Sequence, residues 1–223
     1  TPTYGMYAVL ANLNGIHQQC VSLTADFQID VPAVLNAIRP NSKLLFICSP
    51  NNPSGNVMSR TAIKEILKAF KGLVVIDEAY IDFTDTESWL EDLSEHPNLV
   101  VTQTLSKAYG LAGIRLGICY ASEEIIAVLN KIKPPYNINS LTQKAAISAI
   151  SQRENTKQQL KTILDQRTEL IKEFKKIVNT ADVIYGEVSL NAATKIPARV
   201  KKKSVLEYLD SRSLYSGVCA VSK

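Results

Sequence analysis

Apolar residues fall into two patterns along this chain. Four runs are short and largely apolar: Leu44–Cys48, Leu73–Ile76, Leu99–Gln103 and Leu116–Tyr120. Runs of that length read as strands, and continuous rather than alternating hydrophobicity marks strands buried on both faces. Ile16–Leu23 reads as a further short strand. Elsewhere apolar residues recur at helical spacing: Val31, Val34, Leu35 and Ile38; then Ile63, Ile66, Leu67 and Phe70; then Ile125, Ile126 and Leu129. A long charged stretch from about Glu154 to Val178 carries Leu160, Ile163, Leu164, Leu170, Ile171 and Phe174 on one stripe.

The flanking residues agree with this division. Asp30 and Ser59 stand where helix N-caps belong, and Pro32 falls in a first turn. Glu123 and Glu124 place acid at a helix start, where the dipole favours it. Trp89–Leu93 reads as a short helix. Lys133-Pro-Pro-Tyr-Asn137 is a break, after which helical patterning resumes from about Leu141. Val183–Tyr185 and Ser204–Leu209 read as one more strand and helix. The recurring order of strand, loop and helix predicts an α/β architecture, with a mainly parallel sheet sandwiched by helices. The long charged helix is the expected passage into a smaller α+β C-terminal domain. The boundary falls between a large domain over 1–136 and interdomain helices plus that small domain over 137–223.

Composition narrows the function classes. The chain has 223 residues, 46% of them hydrophobic, enough for a sizeable core. Its net charge is only +4, and no stretch interleaves aromatic with basic residues as a nucleic-acid binder would. No apolar run approaches the ~18 residues of a membrane span. Thr1-Pro-Thr-Tyr4 offers neither the charged nor the apolar part of a signal peptide. The four cysteines, Cys20, Cys48, Cys119 and Cys219, are scattered without metal-site spacing. A reducing, cytoplasmic setting is expected, with Cys48 and Cys119 as small hydrophobes inside strands. His17 and His96 stand apart from other ligand-type residues.

Candidate chemistry sits in the loops that follow the strands. Thr104-Leu-Ser-Lys-Ala-Tyr-Gly-Leu-Ala-Gly-Ile-Arg115 places one lysine among hydroxyls and glycines and adds an arginine. Hydroxyls, freed backbone N–H groups and a guanidinium are the means by which proteins hold phosphate. A lysine held off the surface beside a phosphate can form an imine with a carbonyl compound. Pyridoxal 5′-phosphate is both a phosphate and an aldehyde, and its ring nitrogen needs an acidic partner. Asp77, at the tip of an apolar strand and followed by Glu78 and Tyr80, is the candidate. Ser49-Pro-Asn-Asn-Pro-Ser-Gly55 is a polar loop at the end of another buried strand, where open α/β sheets bind ligands. Tyr4 and Tyr7, one helical turn apart, are either core rings or a flat surface for a cofactor.

Several of these segments together resemble the class I/II, fold-type I pyridoxal-phosphate aminotransferases, most closely the histidinol-phosphate branch. They are Pro2-Thr-Tyr-Gly-Met-Tyr7, Cys48-Ser-Pro-Asn-Asn-Pro-Ser-Gly55, Asp77-Glu-Ala-Tyr80, Thr104-Leu-Ser-Lys107, Gly110-Leu-Ala-Gly-Ile-Arg115 and Pro135-Tyr-Asn-Ile-Asn139. The resemblance runs from about residue 1 to 150, and the ordered set is what carries it. It implies that Lys107 binds the cofactor covalently and moves the substrate proton. It further implies that Asp77 pairs with the pyridine nitrogen, Tyr80 and Asn52 hydrogen-bond the ring hydroxyl, and Tyr4 stacks on the ring. Thr104, Ser106 and Arg115 would hold the phosphate. The implied reaction passes an amino group between L-histidinol phosphate or imidazole acetol phosphate and glutamate or 2-oxoglutarate, in a homodimer. An aromatic aminotransferase, a threonine-phosphate-type decarboxylase and a non-catalytic fragment are the alternatives. Relative to the family pattern, a preceding active-site segment and a late Arg-Ile-Thr-Val-Gly run are lacking, and Arg199 and Arg212 lie in no matching motif. The expectation is therefore a piece of a longer enzyme.

Overall fold

The computed structural model describes residues 1–177. Four strands form one sheet in the order β1 (Leu44–Cys48), β2 (Leu73–Asp77), β3 (Leu99–Thr104) and β4 (Gly117–Ala121). The first three are parallel, and β4 runs antiparallel to β3. The β3–β4 connection is the shortest of the three. Between β1 and β2 the chain crosses over through α3 (Arg60–Ala69), as parallel pairing requires. Between β3 and β4 it forms only a loop with one 3-10 turn, Ala112–Ile114, and so returns antiparallel.

The core lies between α3 and one sheet face. Ile63 and Ile66 of α3 are fully buried, as are Val74 and Ile76 of β2 and Leu99 and Val101 of β3. The strand residues are two apart, so each pair shares a face. Phe70, Met58 and Trp89 fill the margins of this cluster. Asn98 fixes the end of α3 by donating from Nδ2 to the carbonyls of Leu67 and Phe70 (both 3.1 Å) and Gly72 (3.3 Å). Gly72 admits no side chain: a Cβ there would stand 2.3 Å from the Lys43 carbonyl oxygen.

Caps match the sequence. The Asp30 carboxylate accepts from the Ala33 N–H at 2.9 Å and opens α2 (Val31–Ala37). The Ser59 hydroxyl accepts from the Ala62 N–H and opens α3. Trp89–Asp92 is a 3-10 turn. Three more helices follow, α4 (Glu123–Ile132), α5 (Ser140–Ser151) and α6 (Arg153–Ile177). At the other end, α1 (Met6–Leu13) opens the chain. No helix among the described residues is long and apolar enough to cross a membrane.

Three expectations need correction. Ile16–Leu23 is not a strand: only Leu23 bridges, to Ile29, and the polar run His17-Gln18-Gln19 finds no neighbouring strand to pair with. β1 is not buried on both faces, because it is the sheet's edge among the described strands. Leu44 and Phe46 stay 52% and 47% exposed. Cys119 lies in β4 yet is exposed, while Cys48 is buried. The elements expected at Val183–Tyr185 and Ser204–Leu209, and with them most of the small domain, lie outside the described residues.

Candidate active site

Parallel pairing brings the carboxyl ends of β1, β2 and β3 to one edge of the sheet. Cys48 is in register with Asp77, and Asp77 with Thr102, two residues before Thr104. The ladder continues one residue beyond the strands. The Ser49 N–H donates to the Asp77 carbonyl at 3.0 Å, and the Glu78 N–H to the Thr102 carbonyl at 2.8 Å. The loops that leave these strands are thus anchored at their first residues.

Asp77 is half-buried and holds a donor on each oxygen. The Tyr7 hydroxyl donates to Oδ2 at 2.7 Å and the Ala79 N–H to Oδ1 at 3.1 Å. No Lys, Arg or His among the described residues forms an ion pair with it. Burial, and then the nearby Cys48 and Asp77, push the Tyr7 phenol far above the ordinary tyrosine range. The phenol therefore stays a proton donor. The Cys48 thiol is also pushed up, chiefly by burial.

Asn52, Tyr80 and Lys107 meet across the loops. Asn52 Nδ2 donates to the Tyr80 hydroxyl at 3.2 Å, and Lys107 Nζ stands 5.1 Å from the centre of the Tyr80 ring. Lys107 itself is exposed, which corrects the expectation of a lysine held off the surface. Its loop bends at Gly110, at a φ of 66° that favours glycine, and the Gly110 N–H donates to the Lys107 carbonyl at 3.0 Å. The two hydroxyls before it are paired: Thr104 Oγ1 donates to Ser106 Oγ at 2.9 Å and accepts from the Ser106 N–H at 3.1 Å.

Arg115 is not brought to those hydroxyls. Its side chain is exposed and donates to the Ala112 carbonyl at 3.0 Å, although the next carbonyl, that of Leu116, lies 3.4 Å from Thr104 Oγ1. Arg115 has a left-handed φ of 55°, an uncommon backbone state for a residue with a side chain. Tyr4 is 44% exposed and edge-on to Tyr7, with ring centres 5.6 Å apart; Tyr7 in turn stacks on Phe46 at 5.0 Å.

Three supporting residues escaped the sequence reading. Asn51, 2% exposed, accepts from the Thr3 hydroxyl at 2.8 Å and donates to the Pro2 carbonyl at 3.1 Å, docking the segment that carries Tyr4. The Tyr7 hydroxyl, and not only its ring, takes part, through its bond to Asp77. Glu78, 1% exposed, accepts from the Ser88 hydroxyl (2.6 Å), the Trp89 N–H (2.7 Å) and Gln103 Nε2 (2.9 Å). Strand alternation was a signal for the last: consecutive acids at a strand tip face opposite ways, so one serves the core. His96 also proves to have company, with ligand atoms of Asp92 and Glu95 within 4.8 Å. Asp92 is already neutralised by Arg60 and by Lys64 at 2.7 Å.

A parallel sheet whose strand tips converge on a lysine loop, a carboxylate and a hydroxyl pair defines the fold-type I class of transferases. The sequence model of the family described as aminotransferase class I and II matches residues 1–196, and the chain belongs to that family. It is 56% identical over 184 residues to the histidinol-phosphate aminotransferase of Flavobacterium johnsoniae, an alignment spanning 82% of this chain and 52% of that one. Among solved structures, it resembles the histidinol-phosphate aminotransferase of Clostridium acetobutylicum, with a TM-score of 0.73 and 26% identity over 79% of this chain and 55% of the other. It likewise resembles the Sinorhizobium meliloti enzyme in complex with pyridoxal-5′-phosphate (TM-score 0.70, 26% identity, 76% and 47% covered). The chain spans about half the length of the curated relatives it matches.

Proposed function

We propose that this chain carries the cofactor-binding part of a pyridoxal-phosphate-dependent aminotransferase. In that reading, it exchanges an amino group between L-histidinol phosphate or imidazole acetol phosphate and glutamate or 2-oxoglutarate, a step of histidine biosynthesis. The observation that supports the reading is that Asp77, the Asn52–Tyr80 pair and the Thr104–Ser106 pair all stand at the carboxyl ends of adjacent strands, with Lys107 against the Tyr80 ring. Histidinol-phosphate aminotransferases that are 56% and 52% identical to this chain over 184 residues support the same reading.

The donor set fits the cofactor. Asp77 has no cationic partner among the described residues, so its charge is available to a protonated ring nitrogen. The Asn52–Tyr80 pair offers hydrogen bonds to a ring hydroxyl. Thr104 and Ser106 present hydroxyls to a phosphate, and Arg115, by rotating its side chain from Ala112, adds a bidentate grip. Tyr4 supplies an exposed ring to lie against a flat heterocycle. Lys107 is the covalent anchor, and its amine carries the substrate proton once displaced. Bound pyridoxal phosphate supplies an electron sink for the carbon that loses that proton.

The domain boundary belongs near 136, where Tyr136 is 98% exposed between two helices. A homodimer accounts for the apolar side chains left exposed on α1 and α5, among them Leu10, Leu13, Leu141 and Ile147. A cytoplasmic setting suits free cysteines and a biosynthetic role. An assay of the full-length enzyme with L-histidinol phosphate and 2-oxoglutarate tests the reading: glutamate formation supports it. Decarboxylation of threonine phosphate, or transfer only from aromatic amino acids, contradicts it.

A further inference from the structure

We propose that Tyr7 is a positioning residue for Asp77, fixing the carboxylate that faces the cofactor's ring nitrogen. This deepens the function proposed above and rests on it. Asp77 sits at the end of β2, where its backbone is held by both neighbouring strands. Its carboxylate can still turn about the last side-chain bond. One donor on each oxygen removes that freedom: the Ala79 N–H holds Oδ1 and the Tyr7 hydroxyl holds Oδ2. The first is local, two residues along the chain. The second comes from seventy residues away, on α1, and is the one that depends on the fold.

The Tyr7 ring is itself held. It stacks on Phe46 of β1 with the planes 24° apart, and its other neighbour is the edge-on ring of Tyr4. One side chain therefore touches the residue proposed to lie on the cofactor's face and the residue proposed to pair with its nitrogen. The phenol is neutral and remains so, because burial and the adjacent acids oppose its ionisation. A neutral donor orients the carboxylate without cancelling its charge, as an arginine or lysine would. The full negative charge is left to keep a ring nitrogen protonated, the condition under which the ring withdraws electrons.

The test is Tyr7→Phe in the full-length enzyme, which keeps the ring stack and removes one oxygen. Two quantities are read: the dissociation constant for pyridoxal 5′-phosphate, and the 15N chemical shift of its ring nitrogen when labelled and bound. We expect affinity to fall about tenfold or more, the size of a hydrogen bond to a charged group. The nitrogen signal should move toward the unprotonated value. A packing role alone would leave that signal in place. Wild-type affinity and an unshifted signal in Tyr7→Phe would overturn the role of Tyr7 and leave the cofactor reading standing. A wild type that takes up no pyridoxal phosphate would overturn both. If Tyr7→Phe does not fold, Phe46→Leu carries the test. It loosens the Tyr7 ring and keeps the hydroxyl, so a smaller shift in the same direction supports the role and none overturns it.

Discussion

Lys107 Nζ lies over the Tyr80 ring, 5.1 Å from its centre, while the Tyr80 hydroxyl accepts a hydrogen bond from Asn52. One aromatic side chain thus joins two loops, the one after β3 through its face and the one after β1 through its oxygen. The ring face attracts the ammonium group and limits where an otherwise exposed lysine can point.

Tyr80→Phe separates these two contacts. The ring under Lys107 stays and the oxygen goes. The dissociation constant for pyridoxal phosphate should rise roughly fivefold, the equivalent of about 1 kcal/mol for one neutral hydrogen bond. Asn52→Ala should cost a similar amount. Because the two residues share one bond, the double variant should cost less than the sum, which a fluorescence titration of all three variants would measure. Strict additivity would mean that they do not act on the ligand as a pair.

Arg115→Ala tests whether the guanidinium leaves Ala112 for a phosphate. Affinity for pyridoxal 5′-phosphate should fall by an order of magnitude or more, as loss of a charge-assisted contact requires. Binding of pyridoxal, which has no phosphate, should stay unchanged. Equal losses for both ligands would place Arg115 outside the phosphate site.

Glu78 bears on stability rather than on ligand binding. Its buried carboxylate satisfies three donors from Ser88, Trp89 and Gln103, tying the 3-10 turn at Trp89–Asp92 to β3. Glu78→Leu leaves those donors unpaired and should destabilise the fold by about 3 kcal/mol or more, read from thermal or urea unfolding. A change below 0.5 kcal/mol, the range of an ordinary surface substitution, would mean that the network has little energetic weight.

The cysteines give a check on burial at the site edge. Cys48 is 3% exposed, and its thiol is held protonated by burial, whereas Cys20 is exposed. Iodoacetamide at pH 8 should therefore label Cys20 rapidly and leave Cys48 unlabelled until the chain is unfolded, as peptide mass spectrometry would record. Rapid labelling of Cys48 in the folded chain would contradict the packing of β1 against Tyr7.

Much of this arrangement is legible in the sequence, for reasons that differ by residue. The strands ending at Cys48, Asp77 and Thr104 announce themselves because short continuous apolar runs mark buried strands. The caps at Asp30 and Ser59 follow from local hydrogen bonding, which needs no tertiary context. β1 was read as fully buried because a run of apolar residues says nothing about its neighbours, and an edge is a property of the sheet. Ile16–Leu23 misled for the same reason, since a strand without a partner is not a strand. The exposure of Lys107 and the turn of Arg115 toward Ala112 depend on loop geometry that residue type does not encode. Tyr7 and Asn51 act through partners seventy and about fifty residues away, a distance over which spacing carries no signal.

The most direct measurement is borohydride reduction of the chain after incubation with pyridoxal 5′-phosphate, followed by peptide mapping. The account predicts one modified peptide, the one that contains Lys107, with the pyridoxyl group on that lysine, and none in Lys107→Ala. Label spread over several surface lysines, or retained in that variant, would contradict it.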